Sequence, residues 1–424
     1  MKIDSSPPRG TRDLLPVAVA LRDHIQATIA GVYERFGYQR IETPALESLE
    51  RLSAGQGGEN EKLIFQVLRR GLPPRLEAGT DLSSLVDLGL RFDLTVPLTR
   101  FYGNNAAALP SPFRSFQLGA VWRAERPQRG RYRQFHQCDI DMIGEASVLA
   151  EVELIEATTE ALAAVGLGGV TLRLSDRRVL AAVAAGAGLP TKAWPSLFVG
   201  LDKLDKVGWE GVRHELVDDH GLPAGPVDAA LRTVGELAAL APAEVLDGLA
   251  NHLAAIDDPV LDDLKTTTDA LGGIAAAGGW SWCFDATLVR GMGYYTGQIF
   301  EVSHPGLGSS IAGGGRYDNL IGRSLGREVP ACGFSIGFER IVELLDAAVA
   351  RETVAMVYEA EVSPAAALEA ARQLRSGGYQ VATIPRSGRL GAQLTRLEAW
   401  GFTSWVHLRN TGGQPEAPRP LSGR

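Results

Sequence analysis

Residues 113–144 read "FRSFQLGAVWRAE" (113–125), "RPQRGRY" (126–132) and "RQFHQCDIDMIG" (133–144). The outer parts have strand character and the middle is a polar loop, which predicts an antiparallel hairpin with a long tip. Five arginines lie between Arg123 and Arg133, in a chain whose formal net charge is −8. An arginine-rich run taken alone is most often a solvated turn. Here Gln137, Asp139 and Asp141 follow it on the second strand. Strand side chains alternate, so Gln137 and Asp141 point to one face.

Outward from the hairpin, "VALRDHIQATIAGVYERFGYQ" has helical spacing closed by Gly37, and "RIETPALE" is a short strand stopped by Pro44. "LGLRFDLTVPLTRFY" begins as a strand, with Asp93 and Thr95 on one face of it, and turns into a helix with Pro97 in its first turn. "SVLAEVELIEATTEALAAVGL" reads as a strongly amphipathic helix ended by Gly166. From 176 to 280 the composition shifts to Ala, Leu, Val and Asp at helical period, which predicts a mostly helical inserted domain. Strand character resumes in "FDATLVRGMGYYTGQIFEVSHP". "CGFSIGFERIVELLDAAVA" is a strand running into a helix. After about 350, "VAMVYEAE", "AAALEAARQLRSGG" and "YQVATIP" make a β-α-β unit, a small separate α/β domain.

A chain of 424 residues exceeds one ordinary core, so two or three domains are expected. With 45 % hydrophobic and 22 % charged residues it has the composition of a soluble globular protein. No run of 18 apolar residues exists to span a membrane, and "MKIDSSPPRGTRDLLP" lacks a signal-peptide core, so a cytoplasmic location is expected. Cys138, Cys283 and Cys332 are too scattered for a disulfide framework or a zinc site. His214 and His220, six apart, fall on different sides of a helix and do not form a metal pair. Net acidity argues against a whole-surface nucleic-acid binder but leaves room for a local phosphate patch.

Neither "GxxxxGK[ST]" nor a "GxGxxG" between strand and helix is present. Any ATP phosphates must therefore be held by side chains, and arginine's planar, permanently charged fork suits them. Arg123, Arg290 and Arg340 are the candidates, the last two near glycines (Gly291 and Gly337) that allow close approach.

The ordered set "PPRGTRDLLP", "RIETPALE", "VWRAERPQRGRYRQFHQCDID", "LVRGMGYYTGQIFEV", "GGGRYDNLIG" and "CGFSIGFERI" resembles the class II aminoacyl-tRNA synthetases, specifically the histidyl-tRNA synthetases, over roughly residues 7–345. The segment "LVRGxxYYTG" is specific to that family. The resemblance implies an α+β fold: a class II antiparallel-sheet catalytic core with a helical insertion, plus a small C-terminal α/β domain. It implies a histidine–tRNA ligase using ATP with Mg²⁺, in the form of a cytoplasmic homodimer whose dimer motif contains Pro44. The corresponding division is 1–175 and 281–348 for the core, 176–280 for the insertion, and 349–424 for an anticodon-binding-like domain ending in a disordered tail.

By the same resemblance, Arg123 meets the ATP α-phosphate and the substrate carboxylate, with Glu125 holding the adenine end. Arg340 clamps the adenine and γ-phosphate end. Arg290 sits at the α-phosphate as a preorganised cation. Gln137 and Asp141 receive the α-amino group of histidine, Asp93 and Thr95 belong to the same subsite, and Tyr294 with Tyr295 receives the imidazole. The hairpin tip reaches the tRNA acceptor end, with Gln128 and Arg129 as contacts. No protein side chain is assigned to a metal.

Two departures stand out. Many family members have "RGLDYY" where this chain has "RGMGYY", so Gly293 replaces an Asp. The C-terminal domain ends in "SWVHLRNTGGQPEAPRPLSGR", a Pro- and Gly-rich tail in place of an acidic turn and a Lys-bearing strand. They motivate one alternative, a paralogue that passes activated histidine to an acceptor other than tRNA; another, the regulatory subunit of ATP phosphoribosyltransferase, resembles the same catalytic core and senses histidine in the same pocket.

Overall fold

The computed structural model describes residues 3–53, 60–72, 80–127, 131–254, 256–289, 294–345, 352–410 and 415–421. α1 (Pro16–Arg35) is closed by Gly37 at a φ of 81°. Ile25, Ile29, Val32 and Tyr33 form its buried stripe, and the Tyr33 ring meets Phe116 edge-on at 5.7 Å. β1 (Gln39–Arg40) joins the edge of the main sheet. Past Pro44, β2 (Leu46–Ser48) pairs instead with β4 (Val86–Leu90), which also pairs with β3 (Gln66–Leu68). The strand expected over "RIETPALE" is thus split between two sheets, with the proline, which has no N–H to donate, at the break. α2 (Leu49–Ser53) lies between β2 and β3, and α3 (Thr95–Asn105) follows β4.

β5 (Phe113–Trp122) and β6 (Gln134–Ile143) form the expected hairpin, from Phe113 opposite Ile143 to Trp122 opposite Gln134. α4 (Leu149–Ala164) ends just before Gly166, whose φ is 94°. It is a helix ended by Gly166 as expected, but not a strongly amphipathic one. Leu154, Ile155, Ala157, Thr158 and Ala161 are buried on more than one side, because α4 packs against both the strand Ala331–Gly337 and the helix Asp258–Gly278.

β7 (Thr171–Asp176) is followed by α5 (Arg177–Gly186), α6 (Trp194–Asp202), α7 (Leu204–His214), α8 (Ala224–Ala238), α9 (Val245–His252) and α10 (Asp258–Gly278), with no strand among the described residues between them. The sheet resumes with β8 (Ser281–Phe284), β9 (Gln298–Ser303) and β10 (Ala312–Arg316). α11 (Asp318–Leu325), β11 (Ala331–Gly337) and α12 (Phe338–Leu344) complete it. Its order is β1-β5-β6-β11-β10-β9-β7-β8, antiparallel throughout except at the edge pairs β1·β5 and β7·β8. The family resemblance implies such a mixed, mainly antiparallel sheet, and the chain has it.

The chain divides into two compact units, Met1–Asp13 with Asp23–Asp346 and Leu14–Arg22 with Ala347–Arg424. In the second, β12 (Thr353–Tyr358), α13 (Pro364–Ser376) and β13 (Gln380–Pro385) form the β-α-β unit with parallel strands. α14 (Leu390–Ala399) leads to β14 (Ser404–Leu408), also parallel to β12. Val354, Ala355, Met356 and Val357 are fully buried, an unbroken apolar run suited to a strand covered on both faces. Within the tail expected to be disordered, β15 (Arg419–Pro420) pairs antiparallel with β14. A two-residue strand needs only backbone partners, so composition gave no sign of it.

Candidate active site

Strand register builds the floor of the site. β6 and β11 pair with Asp141 opposite Gly333, Asp139 opposite Ser335 and Gln137 opposite Gly337. Alternation turns the three β6 side chains to one face, and all three line a cavity of about 1060 Å³. A Cβ at position 333 would collide with Asp141 Oδ1, so glycine there leaves room for the carboxylate. Ser335 Oγ donates to Asp139 Oδ1 at 2.5 Å and accepts from Gln137 Nε2 at 3.1 Å. Tyr317 Oη donates to Asp141 Oδ1 at 2.5 Å. Asp141 Oδ2 and Gln137 Oε1 are buried without a hydrogen-bond partner. A buried acceptor left unpaired costs about 1–3 kcal/mol, which a ligand N–H entering the cavity would relieve.

Asp93 lines the same cavity. Burial pushes its carboxyl up, opposed by the Val96 N–H, which donates to Oδ1 at 3.0 Å, and by Arg123. Asp139 is raised well above the carboxylate range by burial and then by the neighbouring Asp141. Asp141 is pushed up to about 7 by burial, with the Tyr317 hydrogen bond opposing and Asp93 adding. Buried acids that share a cavity resist ionising together, and an entering cation removes that resistance.

Arginines enter from other elements. Arg123 stands one residue past β5, its N–H bonded to the Arg133 carbonyl at 2.8 Å and its Nε to the Phe92 carbonyl at 3.0 Å. Its guanidinium lies 5.0 Å from the Phe135 ring centroid. Glu125 pairs with Arg131 at 3.0 Å. Arg340, on α12, donates to the Ser310 carbonyl.

The N-terminal segment straps this side of the cavity. Arg12 bonds Glu339 at 2.6 Å and Tyr132 Oη at 2.8 Å, and its guanidinium lies 3.9 Å from the Tyr132 ring centroid. The Gly10 carbonyl accepts the Arg133 N–H at 2.8 Å. Gly10 has a φ of 84°, and a Cβ there would press on Arg133 and Pro127.

Tyr294 and Tyr295, with ring centroids 4.4 Å apart, pack against a core cluster containing Tyr317, Tyr102 and Phe113. From the helical stretch, Arg177, Trp194, Phe198 and Asp202 also line the cavity.

Of the residues expected here, Asp93, Thr95, Arg123, Glu125, Gln137, Asp141, Tyr294, Tyr295 and Arg340 all line this one cavity. Arg290, Gln128 and Arg129 lie outside the described residues, as does Gly293. One local expectation is corrected. Asp93 and Thr95 do not share a strand, because β4 ends at Leu90 and Thr95 is the first residue of α3. Asp93 instead accepts an N–H from the first turn of that helix, the local bonding that draws Asp to helix starts. Sequence reading gave no role to Asp139, Gly333, Ser335, Tyr317, Arg12 or Arg177. Period two on "HQCDID" and "CGFSIG" would have found the first three; nothing in the sequence singles out the rest.

The histidyl-tRNA synthetase family pattern matches residues 10–341. The chain is 47 % identical over 419 residues to the histidine–tRNA ligase of Leifsonia xyli subsp. xyli, covering 95 % of each. It is 37 % identical to that of Aeropyrum pernix, covering 88 % of this chain and 83 % of that one. The crystal structure of histidyl-tRNA synthetase from Nostoc sp. PCC 7120 superposes with a TM-score of 0.78 at 29 % identity, covering 96 % of this chain and 92 % of that one. A structure from Bacillus halodurans C, described as an ATP phosphoribosyltransferase regulatory subunit/histidyl-tRNA synthetase, superposes at 0.79 with 22 % identity, covering 97 % of this chain and 100 % of that one, a likeness of fold.

Proposed function

The chain belongs to the histidyl-tRNA synthetase family, and on that premise we propose that it is a histidine–tRNA ligase in which one cavity separates the charges of its substrates. The observation that carries this reading is the pairing of buried, unsatisfied acceptors on Asp141 and Gln137 with Arg123 and Arg340 in one cavity. The α-ammonium of histidine takes the Asp141 and Gln137 oxygens, with Asp93, Thr95 and Asp139 around it. Tyr294 and Tyr295 receive the imidazole.

Arg123 spans the substrate carboxylate and the ATP α-phosphate, Arg290 adds charge at that phosphorus, and Glu125 and Arg340 hold the nucleotide. A carboxylate oxygen attacks the α-phosphorus, and the bond to pyrophosphate breaks with its electron pair leaving on pyrophosphate. The arginines favour this step because negative charge spreads over phosphoryl oxygens as it proceeds. The 3′-terminal adenosine hydroxyl of tRNA then attacks the histidyl carbonyl and loses its proton, and AMP departs. Gln128 and Arg129 contact the tRNA acceptor end, and the second unit takes the anticodon.

Mg²⁺ would come with ATP. It dehydrates reluctantly and would be held mainly by phosphates and water, and the cavity carboxylates Glu125 and Glu339 are already engaged by Arg131 and Arg12. The ion would neutralise phosphate charge. A cytoplasmic homodimer, formed through the segment containing Pro44, is part of the same reading.

A regulatory subunit would need only to bind histidine, whereas relatives matching 95 % of this chain are named ligases. The test is histidine-dependent ATP–pyrophosphate exchange, followed by tRNA charging. Both are expected. Exchange without charging would point to another acceptor, and neither activity would point to the regulator.

A further inference from the structure

Arg177 is the first residue of α5, and its N–H bonds the Gly297 carbonyl at 3.0 Å, two residues beyond the tyrosine pair. Its side chain lines the cavity, with the guanidinium 4.4 Å from the Phe198 ring centroid. Nη1 is buried and has no hydrogen-bond partner. The other described cavity arginines are engaged: Arg123 by the Phe92 carbonyl, Arg131 by Glu125, Arg340 by the Ser310 carbonyl. Burial lowers the Arg177 pKa with no carboxylate compensating it. A guanidinium does not shed its proton in response; a neutral acceptor would satisfy the N–H, but only an anion would also offset the buried charge.

We propose that Arg177 is a phosphate-binding residue of the cavity, taking a phosphoryl oxygen of ATP or of the terminal phosphodiester of tRNA. This rests on the ligase reading. The remaining candidate anion is the carboxylate of histidine, which is tied to its own ammonium. That ammonium belongs to the acid floor, and none of Asp93, Asp139 or Asp141 acts on Arg177. A phosphate is therefore the better match, and the fork geometry suits it.

Arg177→Met keeps the aliphatic stem against Phe198 and removes the fork. If the phosphate belongs to ATP, the KM for ATP in pyrophosphate exchange should rise about tenfold, the scale of one charge-assisted contact, with the KM for histidine unchanged. If it belongs to tRNA, exchange should stay at the parent level. Charging kcat/KM should then fall about tenfold with a salt dependence shallower by about 0.7 in log–log slope. Arg177→Lys, which keeps the charge and is the gentler change for folding, should lose about threefold in the same assay. The proposal is overturned if both variants melt like the parent and stay within about twofold of it in exchange and charging.

Failure of the parent in both assays would count against the ligase reading instead. Calorimetric titration with inorganic tripolyphosphate would then decide the role of Arg177: about tenfold weaker binding by Arg177→Met supports it, and equal binding overturns it.

Discussion

On the floor of the cavity, Gln137, Asp139 and Asp141 are short side chains fixed by strand register, whereas Arg123, Arg131, Arg340 and Arg177 come from a strand end, a hairpin tip and two helix starts. The floor is preorganised by the sheet. Gly333 clears space for Asp141, and Ser335 and Tyr317 fix the orientations of the acids. The arginines have longer stems, and Arg123 and Arg340 bond the carbonyls of Phe92 and Ser310, which orient them without neutralising them. A rigid acid floor is suited to selecting a cationic group in the ground state. Cations held by neutral carbonyls are suited to charge that develops only during reaction.

The contrast is broken most forcefully at Arg123. Arg123→Ala should lower the adenylation rate by about 10²–10³-fold, the loss seen when one transition-state donor is removed, while the KM for histidine, whose carboxylate it also meets, rises by no more than about tenfold. Equal losses in rate and in histidine affinity would merge the two regions. Single-turnover kinetics of adenylate formation separate the quantities.

On the floor, Gly333→Ala drives a Cβ into Asp141. Overpacking of this kind costs about 1–3 kcal/mol of stability, and the KM for histidine should rise with it while that for ATP does not. Thermal melting and exchange kinetics test both halves; unchanged histidine binding would mean that Asp141 has no need of this position.

A third prediction concerns pH. Asp141 is pushed up to about 7 when folded, against an ordinary value of about 3.9 in the unfolded chain. The folded protein therefore binds a proton that the unfolded chain gives up. That stabilisation is complete below about pH 4 and is lost as pH rises through about 7. The ligand-free protein should lose stability across this window, and Asp141→Asn should flatten the profile. Histidine, bringing an ammonium, favours the ionised acid, so its binding should release a proton below about pH 7, tightening as pH rises towards that value and levelling off above it. Calorimetry in two buffers of different ionisation enthalpy reads the proton directly.

The smallest effect is expected at the strap. Arg12→Ala removes two side-chain bonds that hold Glu339 and Tyr132, a loss of about 1–2 kcal/mol. The KM for ATP should rise several-fold and that for histidine should not. A shift in histidine KM alone would place the strap on the other side of the comparison.

The same contrast decides what the sequence could reveal. β5, β6 and the β-α-β unit of the second compact unit were legible because strand alternation and helical period act locally. Gln137 and Asp141 followed from that period. Asp93 is legible as a candidate and does line the cavity, but the sequence pattern reads its backbone as strand. A three-residue Asx contact to Val96 converts what looks like the end of a strand into the start of a helix. Arg12 and Arg177 were not legible at all. Arg12 finds Glu339 at 327 residues' separation, and Arg177 reaches the cavity only because α5 begins beside Gly297. Such roles are set by tertiary placement, which leaves no periodic trace.

The most direct test of the division between an acid floor and an arginine-lined phosphate site compares L-histidine with imidazolepropionate, the same molecule without its α-amino group, in ATP–pyrophosphate exchange. In the proposed reading, both offer the imidazole to the tyrosines and a carboxylate to Arg123, and only histidine offers a cation to Asp141, Asp139 and Asp93. Exchange with histidine at least about 100-fold more efficient is expected, since one buried charge-assisted contact contributes about 1.5–3 kcal/mol and leaving its partner unpaired adds a penalty of similar size. Exchange with imidazolepropionate within about threefold of that with histidine would contradict the assignment of the floor to the ammonium.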